Sequence, residues 1–164
     1  MGSRLHYSEQ PLQGVTIRTS TLNDCLVLGP KLRAEDCQEI AAHAGLGPTD
    51  GLIQSFLNSK ACLTVELEGT PITMFGTGPY PANPKIGVIW LLSSPELLKI
   101  SKPFLRHSKR LLALLSAPYE VVMNYVDCRN EAHHRWLLWC GFIFIAKHDE
   151  FGVGKLPFIE FVRI

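Results

Sequence analysis

The sequence predicts a mixed α/β domain, a single sheet with helices on both faces. Three observations predict it. Ala61–Leu67 and Ile72–Phe75 flank Glu68-Gly69 and read as a hairpin. Ile86–Leu92 is a continuous apolar run of strand length, as in a central strand covered on both sides. Beyond it, two helical stretches alternate with strand-like segments, so a mixed sheet is expected.

The elements follow in order. Residues 1–14 are polar and turn-rich and read as a lead-in to a domain spanning 15–164. Val15–Arg18 alternates as a short strand. Thr21-Leu22-Asn23-Asp24 supplies side chains that cap a helix, which Gly29-Pro30 cuts short. Arg33–His43 is a second helix, with Cys37, Ile40, Ala41 and Ala44 as its inner face and Glu35, Asp36, Gln38 and Glu39 outside. Gly45 ends it. Gly47-Pro48-Thr49-Asp50 starts a third helix, with Leu52, Ile53, Phe56 and Leu57 on one face. After the hairpin, Gly76–Lys85 carries two Gly and three Pro and is expected to be a loop.

The longest helix starts at Ser101-Lys102-Pro103, where proline is tolerated in the first turn, and ends near Ser116. Phe104, Leu105, Leu111, Leu112 and Leu115 form its buried side. Val121–Val126 is a strand, Asn130–Cys140 a helix stopped by Gly141, and Ile143–Ala146 and Phe158–Ile164 are closing strands. The order is β-α-α-α-β-β-β-α-β-α-β-β.

Composition narrows the function classes. With 164 residues, 46% hydrophobic and 19% charged, the chain is one globular domain and not a disordered segment or coiled coil. The 16 Lys+Arg against 15 Asp+Glu give no global attraction to nucleic acid or membrane. The longest apolar run, Trp136–Ala146, has 11 residues, too few to span a bilayer. The N-terminus lacks the apolar core of a signal peptide. Five cysteines without a CxxC pair fit a reduced, cytoplasmic chain.

From Val126 the sequence reads V-D-C-R-N-E-A-H-H-R-W-L-L-W-C-G-F. Val126, Asn130, Gly141 and Phe142 stand at the spacing of the last sequence block of the GNAT (Gcn5-related N-acetyltransferase) superfamily, which the chain resembles. The resemblance implies a GNAT-like three-layer α/β/α domain. Its sheet would have six to seven strands, mostly antiparallel, with a central splayed parallel pair. It also implies acetyl-CoA as the cofactor of an active member. Two parts of that machinery are missing. The stretch Ser93–Pro103 stands where GNAT enzymes carry a glycine-rich turn for the coenzyme A pyrophosphate. It has no glycine, and its prolines lack N–H donors. Leu137 stands where the enzymes carry a general-acid tyrosine.

A narrower resemblance runs through Trp90-Leu91-Leu92-Ser93-Ser94, the basic helix, Asn124-Tyr125-Val126, Asn130, Arg135 and Gly141-Phe142. It is to the GNAT-like internal virion or virion-assembly proteins of short-tailed phages and their prophage relatives. That resemblance implies action in particle assembly or inside the virion. It implies other phage proteins or further copies of the chain as partners, and a location in the virion or the host cytoplasm. No cofactor is expected on this reading. The alternative is an active acetyl-CoA-dependent N-acetyltransferase that modifies a host or phage protein.

Candidate residues follow from both readings. His134 and Glu131 are the candidate general bases, since imidazole and carboxylate can take a proton from an amine. Coenzyme A, if bound, would lie along Leu91, Ser93, Lys99, Lys102 and Asn130. No metal site is expected, because Cys128, His133, His134 and Cys140 lack the tight paired spacing of zinc ligands. Lys99, Lys102, Arg106, Lys109 and Arg110 make one helix basic. It reads as a solvated or protein-docking face, and nucleic acid is not expected as a partner. Trp136 and Trp139 are three apart and are expected to pack together on one helix face.

Overall fold

The computed structural model describes residues 14–164. All but the last residue of the expected lead-in, 1–14, therefore lies outside the described residues. Strand β1 (Val15–Thr19) is followed by helices α1 (Leu22–Leu28), α2 (Ala34–Ala44) and α3 (Pro48–Leu57). Strands β2 (Ala61–Leu67), β3 (Thr70–Tyr80) and β4 (Asn83–Ser93) lead to helix α4 (Ser101–Ser116). Strand β5 (Val121–Asp127), helix α5 (Glu131–Trp139) and strands β6 (Ile143–Phe151) and β7 (Leu156–Arg163) complete the chain. Short 3-10 helices span Gly29–Lys31 and Pro95–Ile100. The expected order of elements is present, in one seven-stranded sheet ordered β1-β2-β3-β4-β5-β7-β6. Among the described residues its one parallel pair is β4–β5.

The two faces of the sheet carry different helices. Trp90 and Leu92 of β4 join Cys25, Leu28, Ile40 and Leu52, which places α1–α3 on one face. Ile89 and Leu91 alternate to the other face, against Leu111, Leu112, Leu115 and Leu137 of α4 and α5. Helix α3 crosses close to α2 because residue 51 is glycine. A Cβ there would collide with the Ile40 side chain.

The structure corrects several sequence expectations. Residues 76–85 are not a loop. They form the ends of β3 and β4, joined by a two-residue turn at Pro81-Ala82. Pro79 sits at a register shift, and Pro81 and Pro84 lie in the exposed tip, so no central ladder bond is lost. The glycines serve close approach. A Cβ on Gly76 would lie 2.6 Å from the Ala61 carbonyl oxygen, and one on Gly78 would overlap the Asn58 carbonyl. Gly78→Ala is therefore expected to cost about 1–3 kcal/mol through forced backbone movement. Urea denaturation measures it, and an unchanged midpoint would contradict the contact.

On α2 the expected faces are partly exchanged. Asp36 is fully buried, while Ala41 and Ala44 are exposed. Leu57 of α3 is 68% exposed. Trp136 packs inside, but Trp139 is 52% exposed, with the Lys109 ammonium 4.2 Å from its ring centre. The strand expected to stop at Ala146 runs on to Phe151.

The capping signal at Thr21 has a defined outcome. Asp24 accepts a bond from the Thr21 amide at 2.8 Å, from the Arg18 guanidinium at 2.7 and 2.8 Å, and from the Thr64 hydroxyl at 2.9 Å. Burial alone would raise its pKa, but Arg18 and these donors bring it down to about 2. A carboxylate whose folded pKa lies below its unfolded value of 3.8 stabilises the fold above that pH. The contribution, about 2 kcal/mol, is lost as pH falls from about 4 to 2. Acid titration of stability beside Asp24→Asn checks this. The variant should be less stable at neutral pH and lose less on acidification.

Candidate functional site

Strands β4 and β5 pair only at Ile86–Val121, Gly87–Val122 and Val88–Met123. Beyond Val88 each keeps its outer neighbour. Strand β4 stays on β3 as far as Ser93, and β5 stays on β7 as far as Asp127. A gap therefore opens between them. The Asn124 side chain stands at its apex and donates its Nδ2–H to the Ile89 carbonyl at 2.7 Å. By the alternation of a strand, Leu91 and Ser93 direct their amides and carbonyls to the same side as Ile89, into the gap.

A cavity of 110 Å³ occupies this gap. Its walls come from both faces of the sheet, with Glu39 and His43 on one side and Phe104, His133 and Leu137 on the other. A wider groove of 570 Å³ lies on the α2–α3 side, beside Gln54, Asn58, Trp90 and Asn124.

Helix α2 closes the open end of the gap. Asp36 Oδ2 accepts the Ser93 amide of β4 at 2.9 Å, and the Ser93 carbonyl accepts the Arg33 amide at 2.8 Å. One turn later, Glu39 Oε1 accepts the Asp127 amide of β5 at 2.9 Å and the Asn130 Nδ2–H at 3.3 Å. Two carboxylates thus tie the ends of both splayed strands to one helix. Arg33 donates to both Asp36 oxygens at 3.0 Å. Burial pushes the Asp36 carboxyl up, and Arg33 opposes it. Burial pushes Glu39 up to about 8, against the pull of the Asp127 amide. His133 faces this pair through the gap, and burial pushes its imidazole down to about 3.

The residues singled out in the sequence are placed as follows. Asn130 is buried at the start of α5 and accepts the His133 amide at 3.3 Å. A ring nitrogen of His134, Nε2, lies 2.9 Å from the Asp127 carbonyl, and its ring meets Phe144 edge-on. Glu131 is exposed in the first turn of α5 and does not line the cavity. Leu91 lines the cavity. Ser93 is buried, with its hydroxyl among Thr73, Ile72 and Ser94. Lys99 pairs with Glu96 at 2.6 Å, and both Lys99 and Lys102 are exposed. Leu137 is 1% exposed and carries no proton.

Asp36 and Glu39 were missed as site residues. One signal for them exists in the sequence. Positions 36, 39, 40 and 43 share a helical face, so the stripe facing the gap is polar at helical spacing.

Several backbone donors in the turn after β4 are already engaged. The Ser93 amide is held by Asp36, and the Ser94 and Leu97 amides by the Ile72 and Ser94 carbonyls. Pro95 has no N–H, and the 3-10 helix Pro95–Ile100 runs straight into α4 without an open loop before it.

No protein-family model and no curated protein matches the chain. Solved structures do. The acetyltransferase of the GNAT family from Bacillus anthracis superposes with a TM-score of 0.65 at 10% identity, covering 92% of this chain and 94% of that one. The ribosomal-protein-alanine N-acetyltransferase of Brucella melitensis gives 0.63 at 16% identity, covering 91% and 99%. Aminoglycoside acetyltransferase AAC(6')-Ib, solved with coenzyme A, gives 0.62 at 15% identity, covering 91% and 94%. With its seven-stranded sheet, its splayed β4–β5 pair and helices on both faces, the chain has the fold of the GNAT acetyltransferases.

Proposed function

We propose that this protein uses the GNAT fold without acetyl transfer, as a phage-encoded protein of particle assembly or of the virion interior. One observation carries the first half. The carboxylates of Asp36 and Glu39 hold the Ser93 and Asp127 amides at the end of the gap where coenzyme A would enter. The second half rests on the resemblance through Trp90–Ser94, Asn124-Tyr125-Val126 and Arg135 to the internal virion proteins of short-tailed phages. Its partners on this reading are other phage proteins or further copies of the chain. The α5–β6 corner suits such contacts, since Leu138, Trp139 and Ile143 are each more than half exposed there. Mass spectrometry of gradient-purified particles tests the assignment. The chain should be recovered from mature particles or assembly intermediates. Its absence from both would overturn it.

A second reading, an acetyl-CoA-dependent N-acetyltransferase, is favoured by the groove on the α2–α3 side and by the Glu39 carboxyl in the adjoining cavity, which burial pushes up to about 8. Such a group could take the proton of an attacking ammonium. Acetylation of a panel of amines, lost in Glu39→Gln, would establish that reading.

A further inference from the structure

Helices α2 and α5 lie on opposite faces of the sheet, yet they meet through the gap between β4 and β5. One ligand atom each from Asp36, Glu39 and His133 lie within 4.8 Å of one another. Acidic residues alone would say little, since such clusters are common without an ion. The independent observation is His133 Nδ1. It is fully buried, has no hydrogen-bond partner, and belongs to a side chain lining the same cavity. A buried polar atom left unsatisfied costs about 1–3 kcal/mol, so it is expected to have a partner.

We propose that Asp36, Glu39 and His133 bind a divalent transition-metal ion inside the gap between β4 and β5. The ligand set is the argument for the ion's class. Two carboxylates and one imidazole suit Zn²⁺ or Mn²⁺, whereas a thiolate-selecting or all-oxygen site would differ. Glu39 is suited to the role because the Asp127 amide and the Asn130 side chain both donate to its Oε1. Its second oxygen can turn to the ion while those bonds stay. Asn130 and the Asp127 amide then orient the ligand as outer partners do in metal sites. Asp36 reaches the ion with an oxygen it shares with Arg33 or Ser93.

The geometry needs a small adjustment. Ligand atoms about 2.1 Å from an ion lie at most about 4.2 Å apart, so the trio closes by roughly half an ångström. Side-chain torsions supply that. Water from the adjoining cavity of 110 Å³ would complete the coordination sphere. The ion would join the two faces of the sheet at the place where β4 and β5 no longer hold each other.

The test uses the full chain and the metal alone. Mn²⁺ is the first probe, because it avoids the five cysteines that Zn²⁺ would find. Loss of the free Mn²⁺ electron-resonance signal should show one equivalent bound. Affinity should fall at least tenfold in Glu39→Gln, which keeps the acceptor for Asp127, and in His133→Phe, which fills the ring volume. A second readout needs no variant. Zn²⁺ added to the wild-type chain should shift the His133 ring-nitrogen resonances at one equivalent. Absence of saturable Mn²⁺ binding together with unmoved His133 resonances would overturn the proposal, as would equal affinity in folded Glu39→Gln and His133→Phe.

Discussion

Asp36→Ala is expected to destabilise the protein by about 3–5 kcal/mol, the range for breaking a buried ion pair from one side. The carboxylate is fully buried and accepts three hydrogen bonds, two from Arg33 and one from the Ser93 amide, which together tie α2 to β4. Removing it leaves the Arg33 guanidinium without its counter-ion and the Ser93 amide without an acceptor. The size of the loss reports the unpaired groups more than the worth of the pair. A double variant, Arg33→Met with Asp36→Ala, is therefore expected to lose less than the sum of the single losses. Guanidinium denaturation of the four proteins measures the coupling. A loss under 1 kcal/mol for Asp36→Ala would mean that α2 is not tied to β4 by this carboxylate.

Phe158→Ala carries a comparable expectation, about 3–5 kcal/mol for a large aromatic removed from a closed core. Phe158 is 1% exposed on β7, paired with Asp127 of β5 and His148 of β6. Its ring packs with Phe151 at 4.9 Å between centres and with His43 of α2 at 6.3 Å. The residue therefore supports the β5 side of the gap from within the sheet and holds α2 over it. Its loss should lower thermal stability and also loosen the α2 amides. Hydrogen exchange would show faster opening at 39–43 than at the α4 core. A uniform change across the chain would contradict this local role.

Most of the fold was legible in the sequence because period and punctuation carry it. The hairpin at Ala61–Phe75, the apolar run at Ile86–Leu92 and the helix from Ser101 to Ser116 follow from alternation, apolar length and Pro103 in a first turn. The segment 76–85 was misread because Gly and Pro were taken only as loop formers. Gly76 and Gly78 are there because the Ala61 and Asn58 carbonyls pass too close for any Cβ. No one-dimensional pattern reveals a neighbour of that kind. Asp36 and Glu39 were assigned to the outside of α2 by charge. They lie inside because the sheet is open beneath them, and the opening depends on where β4 and β5 stop pairing. That is a long-range property. The sequence did announce what the site lacks. The absence of glycine from Ser93–Pro103 and the leucine at 137 are visible residue by residue, and the structure adds that Asp36 already holds the Ser93 amide.

The contrast between fold and site follows from the same residues. Asn130, Gly141 and Phe142 build the α5 corner, and their roles are structural. Asn130 starts the helix, Gly141 has a φ of 88° at its end, and Phe142 is buried against Phe161. These requirements persist in any protein of this fold, whether or not it binds coenzyme A. The donors that a cofactor would need are a separate matter, and Asp36 and Glu39 already hold the Ser93 and Asp127 amides at the end of the gap.

Calorimetric titration of the full chain with acetyl-CoA tests the account most directly. With the Ser93 and Asp127 amides held by Asp36 and Glu39, no saturable heat is expected at millimolar ligand. Stoichiometric binding at micromolar concentration would contradict it, since the cofactor would then have displaced α2 from the gap.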